Sequence, residues 1–209
     1  MPEGDTIFRT ARTLQRALAG RLITRFDTQL AELAVIDRRS PMAGRTIVGA
    51  ALGPDMLATD LDIAEARRRI RETPARHIAE AILRQQSVAG LGNVFKSELL
   101  FLCRIDPFTA VQDVTDVALD ALLERAPQLM HLNVQEQGIA ISASVGRMTT
   151  GRLNPRENLW VYGRAGRPCW RCGTPIRSET ETEGRRTYWC PTCQPKASVR
   201  AGSPEEFSD

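Results

Sequence analysis

At 209 residues, 42% hydrophobic and 25% charged, the chain is long enough for one ordinary domain or two small ones and lies near the soluble globular average. Its longest apolar runs break within a few residues, so no membrane-spanning helix is expected, and no signal peptide points to an oxidising compartment; the expected location is the cytoplasm. The net charge of +3 argues only weakly for a polyanionic partner, but residues 140–194 hold nine Arg against four Glu, and a basic C-terminal module suggests nucleic acid. Almost all the positive charge is arginine, the only lysines being Lys96 and Lys196.

In chain order, periodicity predicts a helix over 5–19, with Ile7, Ala11, Leu14 and Leu18 on one face, Asp5 or Thr6 as N-cap and Gly20 as the stop. Strands are expected over 21–26, 30–36 and 46–50, where β-branched and apolar residues lie between polar or glycine breaks. After Leu52-Gly53-Pro54-Asp55 the pattern turns helical. Asp62 opens a helix to Arg71, a second covers 76–86, and Ser87 to Gly92 is a glycine-punctuated turn. Asn93 starts a third helix, which runs to about Arg104 and stops at Asp106-Pro107. A longer helix over 115–135 has Val117, Leu119, Leu122, Leu123, Leu129 and Leu132 as core candidates and Pro127 as a kink. Residues 138–168 read as a linker with short strands, and the polar residues 197–209 as a disordered tail. Cys103 lies in an apolar run and reads as a buried thiol without chemistry.

The most specific signal is Cys169-Trp170-Arg171-Cys172 followed by Cys190-Pro191-Thr192-Cys193. Two C-x2-C pairs seventeen residues apart can bring four thiolates around one tetrahedral zinc. Thr187-Tyr188-Trp189 approaches the second pair as a short strand, giving a zinc-ribbon hairpin. Two disulfides or a redox dithiol are the alternatives. The first lacks an oxidising compartment, and a redox C-x-x-C normally occurs once, near a βαβ pattern.

Three further stretches can carry chemistry. Removal of Met1 leaves Pro2 with a free secondary amine, and an α-amino group titrating near about pH 8 is partly neutral at pH 7 and nucleophilic. Attack on a sugar aldehyde carbon gives an iminium ion, an electron sink for β-elimination, with Glu3 placed to act as general acid. Against this, many chains begin with an idle Met-Pro, and a first-turn Glu often only favours the helix dipole. The run from Gln86 to Glu98 places glycines where backbone can approach a ligand and N–H groups where a phosphate can bind, with Asn93 and Lys96 as further donors. A plain helix hairpin with Asn93 as N-cap fits it equally. Gly184-Arg185-Arg186 at the hairpin tip is either a phosphate contact or a solvated turn.

Together these stretches resemble the Fpg/Nei family of DNA glycosylase/AP lyases, most closely the endonuclease VIII-like branch. Pro2-Glu3-Gly4-Asp5 is similar to the family N-terminus, where the proline amine is the nucleophile and the glutamate the acid. Gln86 to Glu98 is similar to its helix-two-turn-helix signature, in which the residue matching Asn93 contacts a phosphate beside the lesion. Leu159 to Arg164 and the four cysteines resemble the entry to its zinc finger, and Arg185 matches the hairpin arginine that touches that phosphate, with Arg186 beside it.

The resemblance implies an α+β protein with four parts. These are a truncated N-terminal β-sandwich with one helix (1–51), a helix-two-turn-helix α domain (52–137), a linker and C-terminal four-cysteine zinc-finger hairpin (138–196) and the tail (197–209). It implies one structural zinc per chain on Cys169, Cys172, Cys190 and Cys193. The implied partner is double-stranded DNA with damaged bases or abasic sites, the implied activity excision of oxidised pyrimidines and β-elimination, and the implied state a monomer unless another chain completes the sandwich. The departure is an internal one. In the family a long β-sandwich stretch, with a catalytic lysine and the side chains that fill the gap left by an everted base, lies where Ala50 and Ala51 here join directly, and no lysine precedes Lys96. Two alternatives therefore stand beside the enzyme: a catalytically impaired remnant that binds damaged DNA, and a zinc-stabilised interaction protein without a DNA role.

Overall fold

The computed structural model describes residues 13–14, 16–47, 53–133, 147–152, 154, 156–181 and 184–196. Its named elements are α1 (Ala31–Arg39), α2 (Ile63–Glu72), α3 (Ile78–Ala81), α4 (Asn93–Leu102), a short 3-10 turn (Val111–Asp113), α5 (Asp116–His131), β1 (Arg177–Thr180) and β2 (Arg186–Trp189). No helix among the described residues is long and apolar enough to cross a membrane.

Residues 13–14 and 16–18 are helical, as periodicity predicts for that stretch. The strands expected over 21–26 and 46–50 are reduced, within the described residues, to one antiparallel bridge between Leu22 and Thr46. The third expected strand is a helix instead. Ala31-Glu32-Leu33-Ala34 are strong helix formers, which outweigh the β-branched pair Val35-Ile36, and Arg38 and Arg39 suit the negative end of the dipole. No described side chain between 13 and 47 is buried, and Leu14, Leu22, Leu30 and Ile36 are each more than half exposed.

The main core lies further on. It gathers Met56, Ile70, Ile78, Ile82, Leu91, Phe95, Leu99, Leu119, Leu122 and Met130 with their neighbours from the helices and turns between residues 56 and 130. Asp62 caps α2 by accepting the Glu65 N–H at 2.9 Å, and Thr115 caps α5 by accepting the Ala118 N–H at 3.2 Å. Arg67 bonds Asp120 at 2.6 Å, tying α2 to α5. The second helix of this region is shorter than the sequence suggests. After Ala81 the chain continues in tighter bonds, Leu83 N–H to Glu80 C=O and Arg84 N–H to Ala81 C=O, as it bends into the turn. Val117 and Leu132, expected in the core, are 80% and 59% exposed; Val117 faces away from the packed stripe of α5 and Leu132 follows its last turn. Cys103 is half-buried, and burial pushes its thiol up to about 11. The described part of 147–168 forms turns and bends rather than the expected strands.

This contrast predicts how the chain opens. Local stability follows buried apolar contact, so trypsin is expected to cut at Arg21, Arg25, Arg38, Arg39 and Arg45 well before α4 or α5 is lost. A time course read by mass spectrometry should show a resistant fragment beginning at Thr46, since no Lys or Arg lies between Arg45 and Arg67. Survival of 13–47 alongside the helical core would show that another surface covers it in solution.

Candidate nucleic-acid interface and metal centre

The turn before α4 is assembled by backbone proximity and by side chains, chiefly Gln85. A Cβ on Gly53 would fall 2.4 Å from the Ser87 carbonyl oxygen, so only glycine lets residues 53–56 lie against the turn. Gln85 staples the turn: its amide donates to Leu83 and Leu91 carbonyls at 3.2 and 2.9 Å and its oxygen accepts the Gly90 N–H at 3.0 Å. Gly90, at φ +101, then reverses the chain into α4. Gly92, not Asn93, is the N-cap, and Asn93 is the first helical residue. From Val94 to Phe101 every residue of α4 is buried. Asn93 therefore stands at a partly accessible end of a helix whose middle is enclosed on all sides.

The β1/β2 hairpin lies along this helix, paired antiparallel with Ser178 opposite Tyr188 and Thr180 opposite Arg186. Three successive β2 residues bond α4. The Asn93 amide donates to the Arg186 carbonyl at 3.0 Å, the Lys96 ammonium donates to the Thr187 hydroxyl at 2.5 Å, and the Tyr188 N–H donates to the Ser97 hydroxyl at 3.4 Å. Asn93 and the hairpin tip, more than 90 residues apart in sequence, are thereby brought side by side. Arg185 is half-buried at the tip and Arg186 is exposed.

Lys96 requires a correction. Expected as a phosphate donor, it is fully buried, and its ammonium is held by Glu181 at 3.1 Å and by Thr187. Burial pushes it below the ordinary lysine range while Glu181 pulls it back up. A cation enclosed this way is not available to a phosphate.

A second anchor fixes the segment leading into the cysteines. The fully buried Glu98 carboxylate accepts the N–H groups of Trp160, Val161 and Tyr162 at 2.8, 2.9 and 2.9 Å and the Thr149 hydroxyl. Burial raises the Glu98 carboxyl, and these four donors oppose the rise. One turn further, Phe101 packs with Val161, Cys169, Ile176 and Cys190 in a small second core.

The four cysteine sulfurs lie within 4.8 Å of one another, and no described cysteine is in a disulfide. Sulfur ligands about 2.3 Å from a tetrahedral metal are about 3.8 Å apart. Here the separations are 3.4 Å for Cys172–Cys190, 3.5 Å for Cys172–Cys193 and 3.9 Å for Cys169–Cys193, so the set fits a metal ion. The Thr174 hydroxyl and N–H pull Cys172 down to about 6, whereas burial and the neighbouring thiols push Cys190 and Cys193 up.

Residues 52–145 match the family model described as the formamidopyrimidine-DNA glycosylase H2TH domain. The chain is 31% identical to the "Probable endonuclease 8 2" of Streptomyces coelicolor over 97% of both chains. The chain belongs to the Fpg/Nei family. It is also 30% identical to the "DNA-(apurinic or apyrimidinic site) lyase Nei2" of Mycolicibacterium smegmatis, covering 93% of this chain and 99% of that one. Its fold matches Lactococcus lactis FPG (MutM) in complex with FAPY-dG-containing DNA at TM-score 0.57 and 30% identity, covering 70% of this chain but 52% of that one. The chain thus spans about half the length of that solved relative. The Streptomyces match runs over 281 positions against 209 residues here, so that Fpg/Nei relative carries positions with no counterpart in this chain.

Set on this family's frame, the helix-two-turn-helix is the turn at 85–92 with α4, and the finger is the hairpin with the four cysteines. Pro2 and Glu3 lie outside the described residues. Sequence reasoning missed Gln85 and Glu98, whose roles lie in what they hold. Gln85 lies in a polar turn and Glu98 shares its helix with Lys96 and Ser97, so neither stood out locally.

Proposed function

We propose that this Fpg/Nei protein is a DNA glycosylase/AP lyase of base-excision repair whose main activity is cleavage at abasic sites. The observation that carries the reading is the meeting of Asn93 with the hairpin tip, which sets a side-chain amide at a helix N-terminus next to Arg185 and Arg186. One N–H of the Asn93 amide is held by the Arg186 carbonyl, which leaves the other to serve as a donor to a phosphate oxygen. Donors of this kind position a duplex without reading its sequence. The four thiolates hold one structural zinc, which keeps the tip in place and takes no part in the chemistry.

The reaction itself belongs to Pro2 and Glu3. The Pro2 amine adds to C1′ of the ring-opened abasic sugar, and loss of water leaves an iminium ion. Removal of a C2′ proton then expels the 3′ phosphate, and hydrolysis of the iminium frees the amine, with Glu3 donating and accepting protons at the sugar. Base excision further needs the nucleotide held out of the stack, which costs a few kcal/mol and calls for side chains that plug the duplex. Those side chains belong to the stretch with no counterpart here. Any excision, by the resemblance to the endonuclease VIII-like branch, is of an oxidised pyrimidine and is the weaker activity. The thin region at 13–47, with no buried described side chain, favours a second reading, an impaired remnant that binds damaged DNA.

Borohydride trapping on an abasic-site duplex separates the two. The wild type is expected to give a covalent adduct, Pro2→Gly a reduced yield through its remaining primary amine, and a chain extended ahead of Pro2 none. Binding without any adduct from the wild type selects the remnant.

A further inference from the structure

Lysine is rare in this chain, and one of its two lysines occupies a site that shields it completely from water. The Lys96 ammonium lies between Glu181, just after β1, and Thr187 in β2, and Thr187 in turn donates to Glu181. It thus bridges both arms of the hairpin next to the tip. Lys96 is three residues from Asn93 and shares its helix face, so the bond that fixes the hairpin is one turn from the amide that meets it. A compact ammonium suits a site between a carboxylate and a hydroxyl, where a planar guanidinium would need more room. Burying such a pair contributes little to stability, since desolvation offsets most of the attraction and an apolar side chain would often serve as well. Its value is geometric: the charge accepts one hairpin register against α4 and rejects others.

We infer that Lys96 is a positioning residue for DNA, its buried contact with Glu181 and Thr187 setting the hairpin on α4 so that Asn93 and Arg185 reach the same stretch of phosphate backbone. This rests on the proposed DNA reading, in which those two residues are the contacts. It differs from a direct contact in a measurable way. If Lys96 acts through Arg185, removing Lys96 weakens binding only while Arg185 is present.

The test is the cycle of Lys96→Met, Arg185→Ala and the double variant, with affinity for an abasic-site duplex read across salt concentrations and metal content and melting point read in parallel. Lys96→Met is expected to weaken binding about tenfold with metal content unchanged, Arg185→Ala by a similar factor, and the double variant no further. Additive losses would make Lys96 an independent contributor and overturn the inference, as would full affinity in Lys96→Met. Should Lys96→Met lose its metal, Glu181→Gln in the same cycle decides by the same criterion, because it keeps a hydrogen-bonding partner and removes only the charge. If Arg185→Ala and Asn93→Ala both retain full affinity and salt slope, the DNA reading itself fails, a result distinct from failure of the Lys96 cycle.

Discussion

Chelating the metal, or replacing Cys190 with Ser, is expected to dismantle the finger while the helical core remains folded. The finger has two four-residue strands and a core of five buried residues, one of them Phe101 from α4. A hairpin of that size is marginal without further support. Cys190 is fully buried, and its N–H and C=O both engage Gln194, whose amide reaches the Ile105 carbonyl at 2.8 Å. Loss of the metal would therefore leave buried thiols at Cys169 and Cys190 with no bridge between the two knuckles. Metal binding in peptides of this class provides about 10 kcal/mol or more of folding energy, far more than the second core can replace. The main core uses no finger residue, so the helical circular-dichroism signal should persist while abasic-duplex affinity falls by about a hundredfold, on the order of 2–3 kcal/mol. One equivalent of zinc per folded chain is expected by metal analysis. Folded, DNA-competent protein with none would end the assignment.

How far the sequence disclosed this arrangement depends on the kind of signal. The four cysteines were legible because metal ligation constrains spacing directly, and the helix starts at Asp62 and near Thr115 because the residues that open a helix are a local signal. The glycine turn before α4 was legible for the same reason. The helix over Ala31–Arg39 was misread because Val35-Ile36 dominates a short window, whereas the Ala and Leu around it decide the backbone. Lys96 was misread for a different reason. A lysine three residues from a helix N-terminus looks solvent-facing until a hairpin from ninety residues away covers it, and no local pattern announces that cover. Pairing at that range belongs to tertiary packing, and the same holds for Glu98.

Replacing Glu98 with Ala is expected to be the most damaging single change within the described residues outside the metal ligands. Glu98 is completely buried, and its two oxygens serve four donors, three of them successive backbone N–H groups at 160–162. Those N–H groups have no strand to join, and removing the carboxylate leaves them in a dry site beside a new cavity. Each stranded donor costs about 1–3 kcal/mol, and truncating one side of a buried charged network costs about 3–5 kcal/mol in total. For a unit of this size that lowers the melting midpoint by about 10 °C. Glu98→Gln separates charge from shape. Its remaining carbonyl oxygen can still accept from Val161 and Tyr162, but its amide faces the Trp160 N–H, so about half the loss should remain. Because Glu98 and Phe101 hold the finger entry from the same face of α4, Glu98→Ala should also loosen the hairpin and weaken DNA binding, with the cysteines still able to take zinc. Calorimetry of wild type, Glu98→Gln and Glu98→Ala decides the matter: midpoints within about 2 °C of one another would mean that the 160–162 backbone finds other partners and that Glu98 is not the anchor between α4 and the finger.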